Sequence, residues 1–221
     1  QLNQLLVILC LMLIIIIGQY LLKKQPTLSL MTNPQTTQEV QNSLESNTKP
    51  SQEKLQLSEI QTFNKAKNLA HRKIYTGDLQ VDYYCGCTYN RSKSVDLNSC
   101  GYKIRKNAQR AKRIEWEHVV PAAVFGRPLE CWSHGGRKNC EEKSELFNKI
   151  EGDLHNLRPV VGEVNGDRSD LIYNFVGSTF VTYGQCEFKI DFQRDTAEPP
   201  DAIKGDLARI TLFMQEKYNL P

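Results

Sequence analysis

Arg113-Ile-Glu-Trp-Glu-His-Val-Val-Pro121 is the segment on which the architecture hinges. Aromatic and β-branched residues alternate with polar ones until a proline ends the run, the pattern of a short strand. Strand alternation places Glu115 and Glu117 on one face and Trp116 and His118 on the other. A buried, unpartnered carboxylate is costly, so burying this strand requires a nearby cation. The alternative is an edge strand with both glutamates in water. His118 falls where the strand ends, a position that presents a side chain to a cleft.

Downstream, Glu151-Gly-Asp-Leu-His-Asn-Leu-Arg-Pro159 runs into Val160-Val-Gly-Glu-Val-Asn-Gly-Asp-Arg168. Pro159 suits the first turn of a helix and Gly166 its end, which puts Asn165 on a short helix. Asn165-Gly-Asp167 also reads as a plain turn, and His155 with Asn156 as a satisfied core pair. Carboxylate and amide oxygens without cysteine suit Mg²⁺ or Ca²⁺ rather than a soft metal. Between the two stretches, Cys131-Trp-Ser-His-Gly-Gly-Arg-Lys-Asn-Cys140 presents Arg137 and Lys138 beside glycines. That is either a phosphate clamp, for which guanidinium geometry is well matched, or a solvated basic turn.

Around these segments the pattern is α+β with short strands and long loops. Ile60, Phe63, Ala66, Leu69 and Ala70 predict a helix over residues 58–71, N-capped by Ser58. Strands are expected at 81–84, 114–120, 180–183 and 187–192, and a last helix over 200–218 with an apolar side of Ile203, Leu207, Ile210, Leu212, Phe213 and Met214. The chain has seven cysteines, more than a reduced cytosolic domain of this size usually carries, which points to an oxidising compartment. Setting aside Cys10 leaves six, with 15 conceivable pairings. Cys85 and Cys87 are too close to pair with each other, and Cys131 with Cys140 would close a short loop. Zinc is the rival reading, weakened by the lack of a Cys-x-x-Cys pair.

Residues 5–17 are uninterruptedly apolar, and the segment resumes at 20–22 before Lys23 and Lys24. Residues 1–24 therefore read as a membrane anchor, a signal peptide or a buried helix. The chain opens on Gln1 without a basic leader, so the expectation is that an upstream start is missing. Residues 25–59 are a polar, aromatic-free linker. Over 221 residues, 28 Lys and Arg against 25 Asp and Glu leave a net charge of +3. That is too little to hold a polyanion by bulk charge, so nucleic-acid contact requires a local basic patch. No internal repeat suggests a solenoid or propeller.

Across most of residues 60–221 the chain resembles the endonuclease I family of secreted and periplasmic bacterial nucleases. The resemblance is carried by Tyr84-Cys-Gly-Cys87, Ser99-Cys-Gly-Tyr102, Ile114-Glu-Trp-Glu-His-Val-Val-Pro-Ala122, Gly135-Gly-Arg-Lys-Asn-Cys140, Asp153-Leu-His-Asn-Leu-Arg-Pro159, Gly162-Glu-Val-Asn-Gly-Asp-Arg168 and Tyr183-Gly-Gln-Cys186, in the family's order. It implies a disulfide-stapled ββα-metal nuclease domain over 60–221, acting as a monomer outside the cytoplasm. The implied substrates are DNA and RNA, cut without sequence specificity to 5′-phosphate ends. By the same resemblance His118 is the general base, Glu117 and Asn165 are ligands of one divalent ion (Mg²⁺, with Ca²⁺ or Mn²⁺ as alternatives), and Arg137 grips the phosphate. Glu151 and Asn156 surround the site, Asn156 orienting His118 or a metal-bound water. Because Glu117 and His118 face opposite ways in a regular strand, both can serve one site only if the strand twists or ends there.

Two departures accompany the resemblance. The family continues past the position of Pro221 with further cysteines, so an unpaired cysteine or an exposed apolar face on the last helix is expected. The N-terminal apolar segment and linker suggest tethering to a membrane through residues 5–22. Two rivals stand beside the nuclease: a non-catalytic, disulfide-stapled nucleic-acid-binding or adhesion domain on a membrane stalk, and a zinc-dependent hydrolase.

Overall fold

The computed structural model describes residues 62–220. The apolar segment, the linker, Ser58 and Ile60 lie outside the described residues. In chain order the helices are α1 (Phe63–Leu69), α2 (Ala108–Ala111), α3 (Ala122–Gly126), α4 (Glu130–Ser133), α5 (Gly136–Lys143), α6 (Glu145–Glu151), α7 (Gly162–Arg168) and α8 (Asp201–Tyr218). The strands are β1 (Ile114–His118), β2 (Leu157–Val161), β3 (Ile172–Tyr173), β4 (Val181–Tyr183), β5 (Cys186–Asp191) and β6 (Thr196–Glu198).

β1 pairs antiparallel with β2, from Ile114 opposite Val161 to His118 opposite Leu157. The chain leaves β2 directly into α7, which lies back across both strands. A second sheet, ordered β3-β6-β5-β4, joins β3 and β6 in parallel and the other neighbours antiparallel. Val160, Val161 and Val164 meet Tyr84, Tyr183, Phe188 and Ile190 in one buried cluster. Val119, Val120, Phe125 and Phe147 meet Leu207, Ile210 and Met214 of α8 in another. A smaller cluster of Ala66, Ala70, Trp116 and Leu157 seats α1 on the β1–β2 pair.

The strand expected at 114–120 is present but ends at His118, and of its two glutamates Glu117 is kept from water, only 3% exposed and paired to a cation, whereas Glu115 faces the cleft. Helix α1 is capped by Thr62, whose hydroxyl accepts from the Lys65 amide, and runs on into π-helical turns over Ala70–Ile74. Several expectations are corrected. Only Val81 of the 81–84 stretch pairs, with Thr88, because the chain must turn between Cys85 and Cys87 with Gly86 at φ +72°. Pro159 sits inside β2 rather than at a helix start. A two-stranded pair tolerates its missing N–H, and its carbonyl accepts from Tyr83 N at 2.9 Å. Gly166 lies within α7, not at its end, and a Cβ there would run into the Arg110 guanidinium. Asn165-Gly-Asp167 is therefore helix, not turn.

The six cysteines form Cys85–Cys186, Cys87–Cys100 and Cys131–Cys140. Among the described residues every cysteine is therefore paired, which removes the reading of these six as zinc ligands. The last helix has the expected bounds, but Leu212 is exposed while Leu207, Ile210 and Met214 are buried.

Candidate active site

A cleft of about 760 Å³ opens beside β1, between α1, α2, α5 and α7. Its walls carry Lys67, Lys93, Arg110, Arg113 and Arg137 against one carboxylate, Glu115. This is the local basic patch that the small net charge demands. Of the residues expected at the site, Arg137 and Asn165 line the cleft, whereas Glu117, His118, Glu151 and Asn156 are buried and are not among the residues that line it.

His118 lies between Phe63, whose ring centroid is 4.7 Å from the imidazole, and Phe125 at 6.1 Å. Its Nε2 is 2.8 Å from the backbone oxygen of Glu151. A carbonyl only accepts, so Nε2 carries the proton and the lone pair is on Nδ1. Burial, with Arg137, Arg168 and Lys67 adding positive charge, pushes the imidazole down to about 3 and keeps it neutral at physiological pH. The Glu151 carboxylate accepts from Arg137 Nε at 2.6 Å through Oε1, while its buried Oε2 has no partner. Burial pushes this carboxyl up, against the pull of Arg137. Base candidate, glutamate and arginine thus form one connected chain. The Arg137 Nη atoms have no partner among the described residues and remain available at the cleft.

Glu117 leaves the opposite face of β1, as alternation requires. Its Oε1 accepts from Arg168 Nη1 and from the Tyr84 hydroxyl, both at 2.8 Å. Arg168 also donates to the backbone oxygens of His118 and Val119, so one buried cation ties the glutamate to the end of the strand. Asn165 donates through Nδ2 to Glu115 at 2.9 Å, and its hydrogen-bond partner is Glu115 rather than Glu117. Burial raises the Glu115 carboxyl, but Arg110, Asn165 and Arg113 outweigh it and hold the group low. Glu117 Oε2 and Asn165 Oδ1 accept no hydrogen bond among the described residues. Two hard oxygen donors on β1 and α7, without sulfur, fit a hard divalent cation.

Asn156 engages the backbone next to His118. Its side chain accepts from Val120 N at 2.7 Å and donates to Val120 O at 2.9 Å. It clamps the backbone just beyond His118 and is not among the residues lining the cleft, and in this way a buried amide satisfies both its donor and its acceptor.

The pattern of the endonuclease I family matches residues 32–221. The chain belongs to the endonuclease I family. It is 52% identical over 162 residues to Endonuclease-1 of Buchnera aphidicola subsp. Baizongia pistaciae, covering 71% of this chain and 65% of that protein. An extracellular deoxyribonuclease of Aeromonas hydrophila is 48% identical over 162 residues, 72% of this chain and 70% of its own. A periplasmic deoxyribonuclease of the same organism is 45% identical over 170 residues, 75% of this chain and 70% of its own. This endonuclease I family chain thus spans about two thirds of these relatives' lengths.

Residue-by-residue reading missed the cleft's basic wall. The signal was present in Arg105-Lys-Asn-Ala-Gln-Arg-Ala-Lys-Arg113, from which Arg110 and Arg113 reach the cleft. Lys67, Lys93 and Phe63 carried no such signal, since only folding brings them there.

Proposed function

We propose that this chain is a metal-dependent endonuclease of the ββα-metal type, hydrolysing DNA and RNA backbones without sequence specificity outside the cytoplasm. The observation that carries the reading is the His118–Glu151–Arg137 chain set against a basic cleft. Membership of the endonuclease I family and the names of its extracellular and periplasmic relatives support it. β1, β2 and α7 supply the two strands and the helix, and one copy of the chain carries every residue named.

In this reading His118 Nδ1 takes the proton from the attacking water, the donated Nε2–H having fixed the tautomer. Arg137 holds the phosphate through its free Nη atoms. Glu151 keeps Arg137 in place with its side chain and His118 with its carbonyl. Lys67, Lys93, Arg110 and Arg113 hold the backbone phosphates, so affinity falls with salt and is indifferent to sequence. Glu117 and Asn165 would hold one divalent cation, Mg²⁺ with Ca²⁺ or Mn²⁺ as substitutes. When bound, it supplies positive charge against the developing negative charge on the phosphate and the leaving 3′ oxygen.

The test is plasmid cleavage by the full chain under oxidising conditions, with Mg²⁺ or with EDTA, beside His118→Ala. Expected are nicked and linear products with Mg²⁺, none with EDTA, and a loss of about 10²-fold or more in the variant with DNA binding retained. Binding without product in the folded wild-type chain would favour the non-catalytic binding domain instead.

A further inference from the structure

We propose that Phe63, on the first turn of α1, is a positioning residue that fixes both the His118 imidazole and the Arg137 guanidinium; this rests on the nuclease reading above. None of the motif segments contains it. Its ring lines the cleft and packs against His118. The imidazole is tilted by 41° against it at 4.7 Å, and the Arg137 guanidinium lies over the same ring at 5.1 Å. Lys67 Nζ, one turn along α1, is 4.2 Å from the ring centroid. Among the described residues Phe63 is the one whose ring is in contact with both His118 and Arg137.

The placement of Phe63 is enforced. Ala66 and Ala70 seat α1 on Trp116 and Leu157. At its start, Gly152 lets the Thr62 backbone approach the residue next to Glu151, where a Cβ would meet Thr62 C and O at 3.2 Å. The aromatic face therefore stays against an imidazole whose other degrees of freedom are set by the Nε2 bond to Glu151. One hydrogen bond leaves the ring some freedom to rotate about that bond, and the Phe63 ring packed against it removes that freedom. The guanidinium is restrained by the same means, since cations settle over aromatic faces.

The experiment uses the full chain carrying Phe63→Leu, with Phe63→Tyr as the conservative variant, at matched thermal stability. In the metal-free protein, NMR of the His118 ring protons reads this ring contact directly: Phe63→Leu should remove a ring-current displacement that Phe63→Tyr retains. In plasmid cleavage with Mg²⁺, Phe63→Leu should lower kcat by about tenfold to a hundredfold, the cost of a misplaced reacting group, with KM changing less, and Phe63→Tyr should restore kcat. Unmoved His118 signals, an unchanged kcat or a faster Phe63→Leu enzyme would overturn the assignment, the last marking the ring as a barrier instead. A wild-type chain that does not cut would overturn the nuclease reading, while the NMR arm would still decide whether Phe63 holds His118.

Discussion

Arg168 is the residue on which the buried strand depends. Its side chain is 1% exposed, donates to Glu117 and to two backbone oxygens, and lies 4.4 Å from the Tyr173 ring. Burial acts against its charge, but Glu117, Tyr173 and Tyr84 outweigh it and keep the guanidinium protonated. Burial likewise pushes the Glu117 carboxyl up, with Arg168 opposing. Arg168→Met should cost about 3–5 kcal/mol, because it leaves a buried carboxylate without its cation. Urea unfolding measures this, and a loss below about 1 kcal/mol would contradict the pairing. Adding Glu117→Gln should recover part of the loss, since the uncompensated charge is then gone. The strand's pattern already demanded a cation near these glutamates. Which cation it is lies 51 residues along the chain from Glu117 and is set by the return of α7 onto β1.

At the scale of the element, the turn at 82–87 shows where pattern reading stops. β-branched and aromatic residues at 81–84 suggested a strand, yet Asp82 organises a turn. Its carboxylate accepts from Cys85 N at 2.6 Å and from Val161 N at 2.7 Å, joining the disulfide-bearing turn to β2. Burial raises this carboxyl to about 6 from its ordinary 3.8, against the lowering effect of its backbone hydrogen bonds. The folded state therefore binds the proton more tightly than the unfolded chain. The stability Asp82 contributes is present at low pH and is lost as pH rises from about 4 to about 6. The carboxylates held low, such as Asp153 and Asp167, act in the opposite sense, mostly below pH 4. Unfolding free energies measured across pH 4–7 should show a shallower decline in Asp82→Asn than in the wild-type chain. An identical slope in the two proteins would rule out Asp82 as its source.

Over the molecule as a whole, three disulfides hold together a domain whose strands are short and whose connections are long. Cys85–Cys186 spans 101 residues and ties the 82–87 turn to β5, whereas Cys131–Cys140 spans 9. Loop-closure entropy makes the long bridge the more valuable one, about 4.7 kcal/mol for a loop near 100 residues against about 3 kcal/mol for one of 15. Replacing Cys85 and Cys186 together by alanine should lower stability more than replacing Cys131 and Cys140. Equal losses in guanidinium unfolding would mean that loop length does not set what each bridge contributes. At the same scale, a chain of net charge +3 gathers five cations at one cleft, a concentration that bulk composition does not reveal.

What the sequence by itself determined is the strand that carries Glu117 and His118, the bounds of α8 and, through the ordered motif segments, the family. The strand and the helix follow from periodicity and turn chemistry, which act over a few neighbouring residues, and the family from motif segments that are each only a few residues long. What only the tertiary structure decided is who meets whom: Arg168 with Glu117, Glu115 with Asn165, Asn156 with the Val120 backbone, and α1 over His118. Those contacts join segments far apart in the chain, and their partners are selected by burial and hydrogen-bond satisfaction once β1, β2 and α7 have closed on one another.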